Sequence, residues 1–417
     1  MTTDRRDFLK HIATGAALSP LMIMNKWTAE MKPLLDKITF EGIPSRSDYS
    51  LSDDVIYLNH GSIGTIPKVV QQARREYLDN CETNPWLYMW GDPWNEAYEE
   101  CRIKAANYLN ASSDEISFVH NTTEVFNLLA TGLPLGPGDE VLFCNLNHAG
   151  ASIPFTFHAE QKGYKVITFD FPMDDLSLMT KSDIVGMYEQ HITPRTKVIA
   201  MPHIDNTVGV RQPVKEITAM ARSKGVKYIT LDTAQSMGMI PIDVKDLDID
   251  VIGTSAHKWI QSPKGTSLAY FSERIWEDIH PMWVTWGQER WEMSARRFED
   301  YGTRNRPEVL TQGHSLDFQA AIDTEAQQNK LKSLWSKALE LADAHPNTKW
   351  RSPRDWELGG SLYAIEIKGE TASDYASRVY TNHGIVLRPF DNLNTIRISP
   401  NVFNTEAEIE KVFELIA

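Results

Sequence analysis

Cysteine is scarce in this chain of 417 residues. Cys81, Cys101 and Cys144 are too few for a disulfide framework and show no zinc-site spacing, so each reads as a small buried apolar side chain. Basic residues are outnumbered, 42 Lys and Arg against 56 Asp and Glu, for a formal charge of -14. That balance argues against nucleic acid as a partner, because a phosphate backbone is bound mainly by cations. Neither G-x-G-x-x-G nor G-K-S/T follows the first strand-like segments, which disfavours a nucleotide-dependent α/β enzyme. Repeats and low-complexity linkers are absent from about Met31 onwards.

The N-terminus does carry a pattern. In TDRRDFLKHIATGAALSPLMIMNKW, Arg5 and Arg6 precede Phe8, Leu9 and Lys10, and no further charged residue appears until Lys26. The weakly apolar stretch falls short of the ~20 apolar residues that a bilayer span requires. Residues 1–30 resemble a twin-arginine export signal, which moves folded proteins, although no clean small-x-small cleavage site follows. The expectation is a periplasmic or exported protein handled by the twin-arginine translocase. The alternative is a frayed amphipathic helix on a cytoplasmic protein.

The middle of the chain alternates β-branched apolar runs with helical patterns. EISFVH, DEVLFCN, YKVITFDF, TKVIAMPHI, VKYITLD and DVIGTS read as strands. Helices are expected from Glu124 to about Thr131, after Gly150, near Lys181 to Gln190, and from Val214 to a stop at Gly225. This alternation predicts an α/β fold, a mostly parallel sheet covered by helices on both faces. After one long helical segment, about Asp317 to His345, SLYAIEIKG, GIVLRP and NTIRISP are strand-like. Thr405 with Glu408 three residues on forms a capping box for a last helix. The expected organisation is an N-terminal segment (31–60), a large domain (61–315) and a smaller α+β domain (316–417).

Ligands of such sheets sit beyond the carboxyl ends of the strands, and there the sequence places its chemistry. VKYITLDTAQS delivers Asp232 and Gln235; DVIGTSAHK delivers Ser255, His257 and Lys258. An acid and an amine at one sheet edge suit an aldehyde cofactor such as pyridoxal phosphate. The lysine forms its Schiff base, and the carboxylate keeps the pyridine nitrogen protonated. Thr122 and Thr123 open a helix whose free amides attract an anion. Singly these are weak signals: an Asp after a strand is commonly an N-cap, as is a Thr before a helix.

Together and in this order they resemble the class V aminotransferase family of fold-type I pyridoxal phosphate enzymes, from about Tyr57 to Phe413. The group includes cysteine desulfurases, isopenicillin N epimerase-like proteins and related lyases. The resemblance implies that Lys258 is the Schiff-base lysine, Asp232 the partner of the pyridine nitrogen, and Gln235 and Asn206 contacts to the ring hydroxyl. It implies that His148, in NLNHAGASIP, stacks on the ring, and that Thr122, Thr123, Ser255 and His257 cradle the phosphate. Thr303, in RFEDYGTRN, would reach the partner's phosphate across a homodimer interface. Arg397, in TIRISPNVFNT, would clamp the carboxylate of an amino-acid-like substrate, a task suited to a bidentate guanidinium. Without the family, a strand-end pairing of Arg397 with Asp391 or Glu408 would be the better reading.

The departures matter too. NHGIVLRPFDNLNTIR lacks the catalytic cysteine that desulfurases carry shortly before the arginine. NPWLYMWGDPW and HPMWVTWGQERW are unusually aromatic, which fits core or subunit interface better than a pocket, though Tyr88 and Trp286 could line one. A protonated pyridine is a strong electron sink and favours transamination and elimination. Epimerisation needs proton delivery from both faces, and Lys258 is the one evident carrier. Aminotransferase- or lyase-type chemistry is therefore expected ahead of epimerisation or a non-catalytic binding role.

Overall fold

The computed structural model describes residues 40–417. The expected twin-arginine signal, Arg5 and Arg6 included, lies outside them. Thirteen strands form three sheets. Seven build the main one, in the order β2 (Ile116–Val119), β8 (Ser267–Phe271), β7 (Val251–Gly253), β6 (Tyr228–Asp232), β5 (Thr196–Pro202), β3 (Glu140–Cys144), β4 (Lys165–Phe169). Only β8 runs antiparallel to its neighbours, so all the other strands point their carboxyl ends to one edge. This is the doubly covered α/β sheet that the alternating pattern predicts.

Burial explains the near-continuous apolar strands. Along β3, Val141 and Phe143 face one cluster while Leu142 and Cys144 face the other. In β5, Val198 and Ala200 likewise oppose Ile199 and Met201. With both faces covered by helices, the central positions of these strands are apolar on both sides. All three cysteines are buried and free.

A four-stranded antiparallel sheet, β12 (Arg388–Phe390), β13 (Thr395–Ile398), β10 (Tyr363–Ile367), β9 (Thr348–Trp350), follows in the C-terminal part. Two expectations are corrected here. GIVLRP is two strands, because β11 (Ile385–Val386) pairs in parallel with β1 (Ile56–Tyr57) while Arg388–Phe390 turns to β13. The long helix is also two, Arg306–Ala320 and Thr324–Ala344. Asp323 breaks it: its side chain caps Ala326 N–H, and its own N–H bonds Gly42 O at 2.7 Å. The Thr405 capping box forms as expected, with Glu408 answering Thr405 N–H at 2.9 Å.

Among the described residues no helix is long and apolar enough to cross a membrane, and no acidic, His or Cys cluster could hold a metal ion.

Candidate active site

The carboxyl edge of the large sheet gathers a cleft lined by Thr122, Thr123, His148, Asn206, Asp232, Gln235, Ser255 and Lys258. These come from the ends of β2, β3, β5, β6 and β7, and the register fixes their heights. Pro202 lies opposite Asp232, and Asp232 opposite Gly253. A strand's last residue thus presents its side chain at the edge where the covering helices end.

Each wall has a local cause. Asn121 caps the helix Thr122–Gly132 by accepting from Glu124 N–H at 3.1 Å, and Thr122 and Thr123 of its first turn line the cleft. Thr122 Oγ1 and Ser255 Oγ lie 3.0 Å apart and join this helix end to the loop after β7. His148 caps the next helix, its Nδ1 accepting from Gly150 N–H at 3.0 Å. A Cβ at Gly150 would stand 2.4 Å from Thr123 Oγ1, so a side chain there would displace the Thr123 hydroxyl from the cleft wall. Asn206 sits on a turn held by buried Asp205, whose carboxylate accepts the N–H groups of Thr207, Val208 and Val210.

The titratable groups are shifted by burial. Desolvation pulls the Lys258 amine down to about 8, Arg397 pushes the same way, and Asp232 opposes them. Burial raises the Asp232 carboxyl above its ordinary value against the Ala234 N–H and Lys258. It lowers His148 and takes half-buried His257 down to about 4, helped there by Lys258 and Lys264. Such opposed shifts at one cleft are typical of reacting groups.

Arg397 is buried, 2 % exposed, and pairs with neither Asp391 nor Glu408. Its Nη1 donates to Asn206 O at 2.6 Å, and its Nη2 to Asn59 Oδ1 at 2.9 Å and Ser62 Oγ at 2.6 Å. Nε finds no partner among the described residues. No carboxylate touches this guanidinium, and burial draws it down to about 10.

Two expected site residues have further surroundings. Gln235 borders the cleft, yet its amide donates to Gly61 O at 2.8 Å and accepts from Trp259 Nε1 at 3.0 Å. It thereby latches the segment 59–64 with one of its two amide hydrogens. Thr303 is exposed and lines a separate cleft with Trp90, Arg102, Arg304 and Arg306. Of the aromatic candidates, Tyr88 is buried against Trp94, and Trp286 is 74 % exposed. Neither borders the Lys258 cleft.

The segment 56–64 escaped sequence reasoning. It supplies Asn59 and Ser62 to Arg397, and Gly64 packs on the loop of Lys258, where a Cβ would fall 2.1 Å from Lys258 O. Its glycines at 61 and 64, between a strand and a helix, were the available signal.

The donor set fits pyridoxal 5'-phosphate. Helix-end amides and the Thr122, Thr123 and Ser255 hydroxyls suit its phosphate, His257 has an unpaired buried Nδ1, and the Lys258 amine lies within the cleft beside buried Asp232.

The comparisons agree. The Aminotransferase class-V family profile matches residues 56–412. A probable cysteine desulfurase of Pyrococcus abyssi is 26% identical over 390 residues, 88% of this chain and 94% of that protein. The isopenicillin N epimerase of Amycolatopsis lactamdurans is 24% identical over 400 residues, 89% and 97% of the two chains. Among solved structures, a C-DES mutant with glycine covalently linked to its PLP cofactor superposes with a TM-score of 0.81 at 18% identity, covering 90% of this chain and 99% of that one. The apo cysteine desulfurase of Thermococcus onnurineus gives a TM-score of 0.79 at 24% identity, covering 91% and 99%. The chain therefore belongs to the class V aminotransferase family, and it is an enzyme of fold-type I whose cofactor is pyridoxal 5'-phosphate.

Proposed function

We propose that this enzyme acts on an α-amino acid, or on a larger molecule ending in one, by aminotransferase- or lyase-type chemistry. The observation that carries the reading is Arg397: a buried guanidinium beside the cleft, without a carboxylate partner and with an unpaired Nε. A buried charge is costly until paired, and a substrate α-carboxylate is the natural complement.

Bound pyridoxal phosphate supplies an electron sink for the substrate's α-carbon. The chain does the rest. Thr122, Thr123, Ser255 and His257 would hold the phosphate, and Asp232 the ring nitrogen. His148 would cover one face of the ring, with Asn206 near the ring hydroxyl. Lys258 would first anchor the cofactor and then carry protons to and from the α-carbon at Nζ. An amine lowered to about 8 is about one-tenth neutral at pH 7, so a useful fraction can accept a proton.

Elimination in the manner of the C-S lyases draws support from relatives named for sulfur chemistry. Cys81, Cys101 and Cys144 are buried, and burial pushes the Cys101 and Cys144 thiols up to about 12. None borders the Lys258 cleft, so the reading is elimination without a protein-borne persulfide. The epimerase-named relatives keep epimerisation as the second reading. Exposed Thr303 supports a homodimer in which it completes the partner's phosphate site. A monomer in solution with full activity would contradict that. The Arg5–Arg6 pattern supports export by the twin-arginine route, and cell fractionation of an Arg5→Lys, Arg6→Lys variant tests it.

The decisive experiment is single-turnover product analysis of the holoenzyme against an amino acid panel. Cofactor recovered as pyridoxamine phosphate means transamination. Unchanged cofactor with a keto acid and a released leaving group means elimination, and a product differing only in α-configuration means epimerisation. Turnover confined to amines without a carboxylate would sink the substrate reading.

A further inference from the structure

A second arginine stands beside the first. In the antiparallel pair β12–β13, Arg388 lies directly opposite Arg397. Residues so paired point to the same sheet face with Cβ atoms about 4.5–5.5 Å apart, and like charges placed there are destabilising. Phe390, two residues on and so on that same face, touches both heads, its ring centre 5.5 Å from Arg388 Cζ and 5.7 Å from Arg397 Cζ.

No acid touches either guanidinium. Arg388 is exposed and makes no ion pair among the described residues. The nearest carboxylate in sequence, Asp391, is taken by Ser373, through its N–H at 3.0 Å and its hydroxyl at 2.6 Å. Arg388 is also the largest charge effect acting on Arg397, pushing it further down. Two cations, neither in an ion pair, share one apolar ring; Arg397 is buried and Arg388 exposed, and the one carboxylate acting on Arg397, buried Asp205, does so from a distance while its oxygens serve its own turn. A single surface arginine would need no explanation. Two directly opposed on one face suit two anionic groups of one small molecule.

We infer that Arg388 is a specificity-determining residue that binds a second carboxylate on the substrate, so that the preferred substrates are α-amino acids whose side chain also ends in a carboxylate. This inference rests on the Arg397 reading and deepens it. Arg397 takes the α-carboxylate, Phe390 lies along the intervening carbon chain, and Arg388 takes the distal acid. Arg388 then contributes to binding rather than to the reacting atoms, so its effect belongs in KM.

The test uses the holoenzyme and matched substrate pairs of one shape: glutamate against glutamine, and 2-aminoadipate against 2-aminohexanoate. Steady-state kcat and KM are measured for each, and binding is followed by the cofactor absorbance change on mixing. Wild type is expected to favour the acidic member at least tenfold in kcat/KM, mainly through KM. Arg388→Gln should shrink that ratio at least tenfold, and Arg388→Lys should restore part of it, because the charge survives without the fork. An acidic-to-neutral ratio that is equal in wild type and Arg388→Gln overturns the inference while leaving the α-amino acid reading intact. So does a loss in Arg388→Gln that falls equally on both members of each pair, which would mark a structural arginine. Turnover only of amines lacking any carboxylate overturns both.

Discussion

The two sides of the site are built on different principles. The sheet-edge side, with Asp232, Ser255 and Lys258, is made by adjacent strands whose ends are aligned by backbone register. The arginine side is assembled from remote pieces: the bonds from Arg397 to Asn59, Ser62 and Asn206 span 338, 335 and 191 residues. One side is fixed by secondary structure, while the other depends on the C-terminal sheet docking against the segment 56–64. The first should be rigid and intolerant of change, and the second tunable.

The largest effect should come from the sheet edge. Lys258→Ala removes both the anchor and the proton carrier, and turnover should fall roughly 10²- to 10⁴-fold, the range for a lost general acid–base group. Borohydride should couple the cofactor to Lys258 in wild type and not in the variant. Coupling at Lys264, whose amine is also lowered by burial, would move the assignment. Next comes Asp232→Asn, which keeps shape and hydrogen bonding but loses the charge facing the ring nitrogen. A fall on the order of 10²-fold in kcat is expected, with cofactor still bound. Equal turnover would mean that the carboxylate serves only the Ala234 turn.

On the arginine side the losses should be smaller and selective. Arg397→Lys keeps the charge but gives up the fork, and charge-assisted hydrogen bonds are worth about 1.5–3 kcal/mol each. That predicts roughly a tenfold to several hundredfold loss in kcat/KM. It should be confined to substrates bearing an α-carboxylate, with the cofactor spectrum unaltered. A loss shared by amines without a carboxylate would assign Arg397 to holding the fold.

A stability measurement separates the sides in another way. The Lys258 amine sits at about 8 in the folded chain against an ordinary 10.5. Below about 8 it is charged in both states and folding bears the full cost of burying it; above 10.5 it is neutral in both and the cost is gone. Cofactor-free protein should therefore gain stability from this group as pH rises from about 8 to 10.5. Urea unfolding of wild type and Lys258→Met across that window checks it: the variant should lose the rise, and parallel curves would refute the argument.

The contrast also explains what the sequence made legible. Asp232 and Lys258 could be found because β-branched runs end abruptly at polar residues, and a parallel sheet turns such endings into a site. Asn59 and Ser62 could not, because nothing local in LNHGSIG indicates a guanidinium more than three hundred residues away. Gln235 was legible as a cleft residue but not as a latch, since Gly61 and Trp259, which engage it, are set by tertiary packing. The break at Asp323 was missed because the helical periodicity resumes one residue later, and the partner that stabilises the break, Gly42, is again remote.

The smallest predicted effect tests whether those remote pieces matter on their own. Ser62 Oγ accepts from Arg397 Nη2 at 2.6 Å, while Asn59 Oδ1 accepts from the same nitrogen at 2.9 Å. Ser62→Ala removes one of the guanidinium's three hydrogen bonds and adds no bulk, so the group stays paired through Asn59 and Asn206 and is held less tightly. A single hydrogen bond contributes about 1 kcal/mol net, which corresponds to a rise of roughly fivefold in KM for carboxylate substrates. The Lys258 side is untouched by this change, so kcat should hold within about twofold. A fall in kcat as large as the rise in KM would show that the segment 56–64 also sets the geometry of the Lys258 loop, through Gly64 N–H to His257 O at 2.8 Å. The two sides would then be one mechanical unit, and the division between a rigid edge and a tunable clamp would have to be given up.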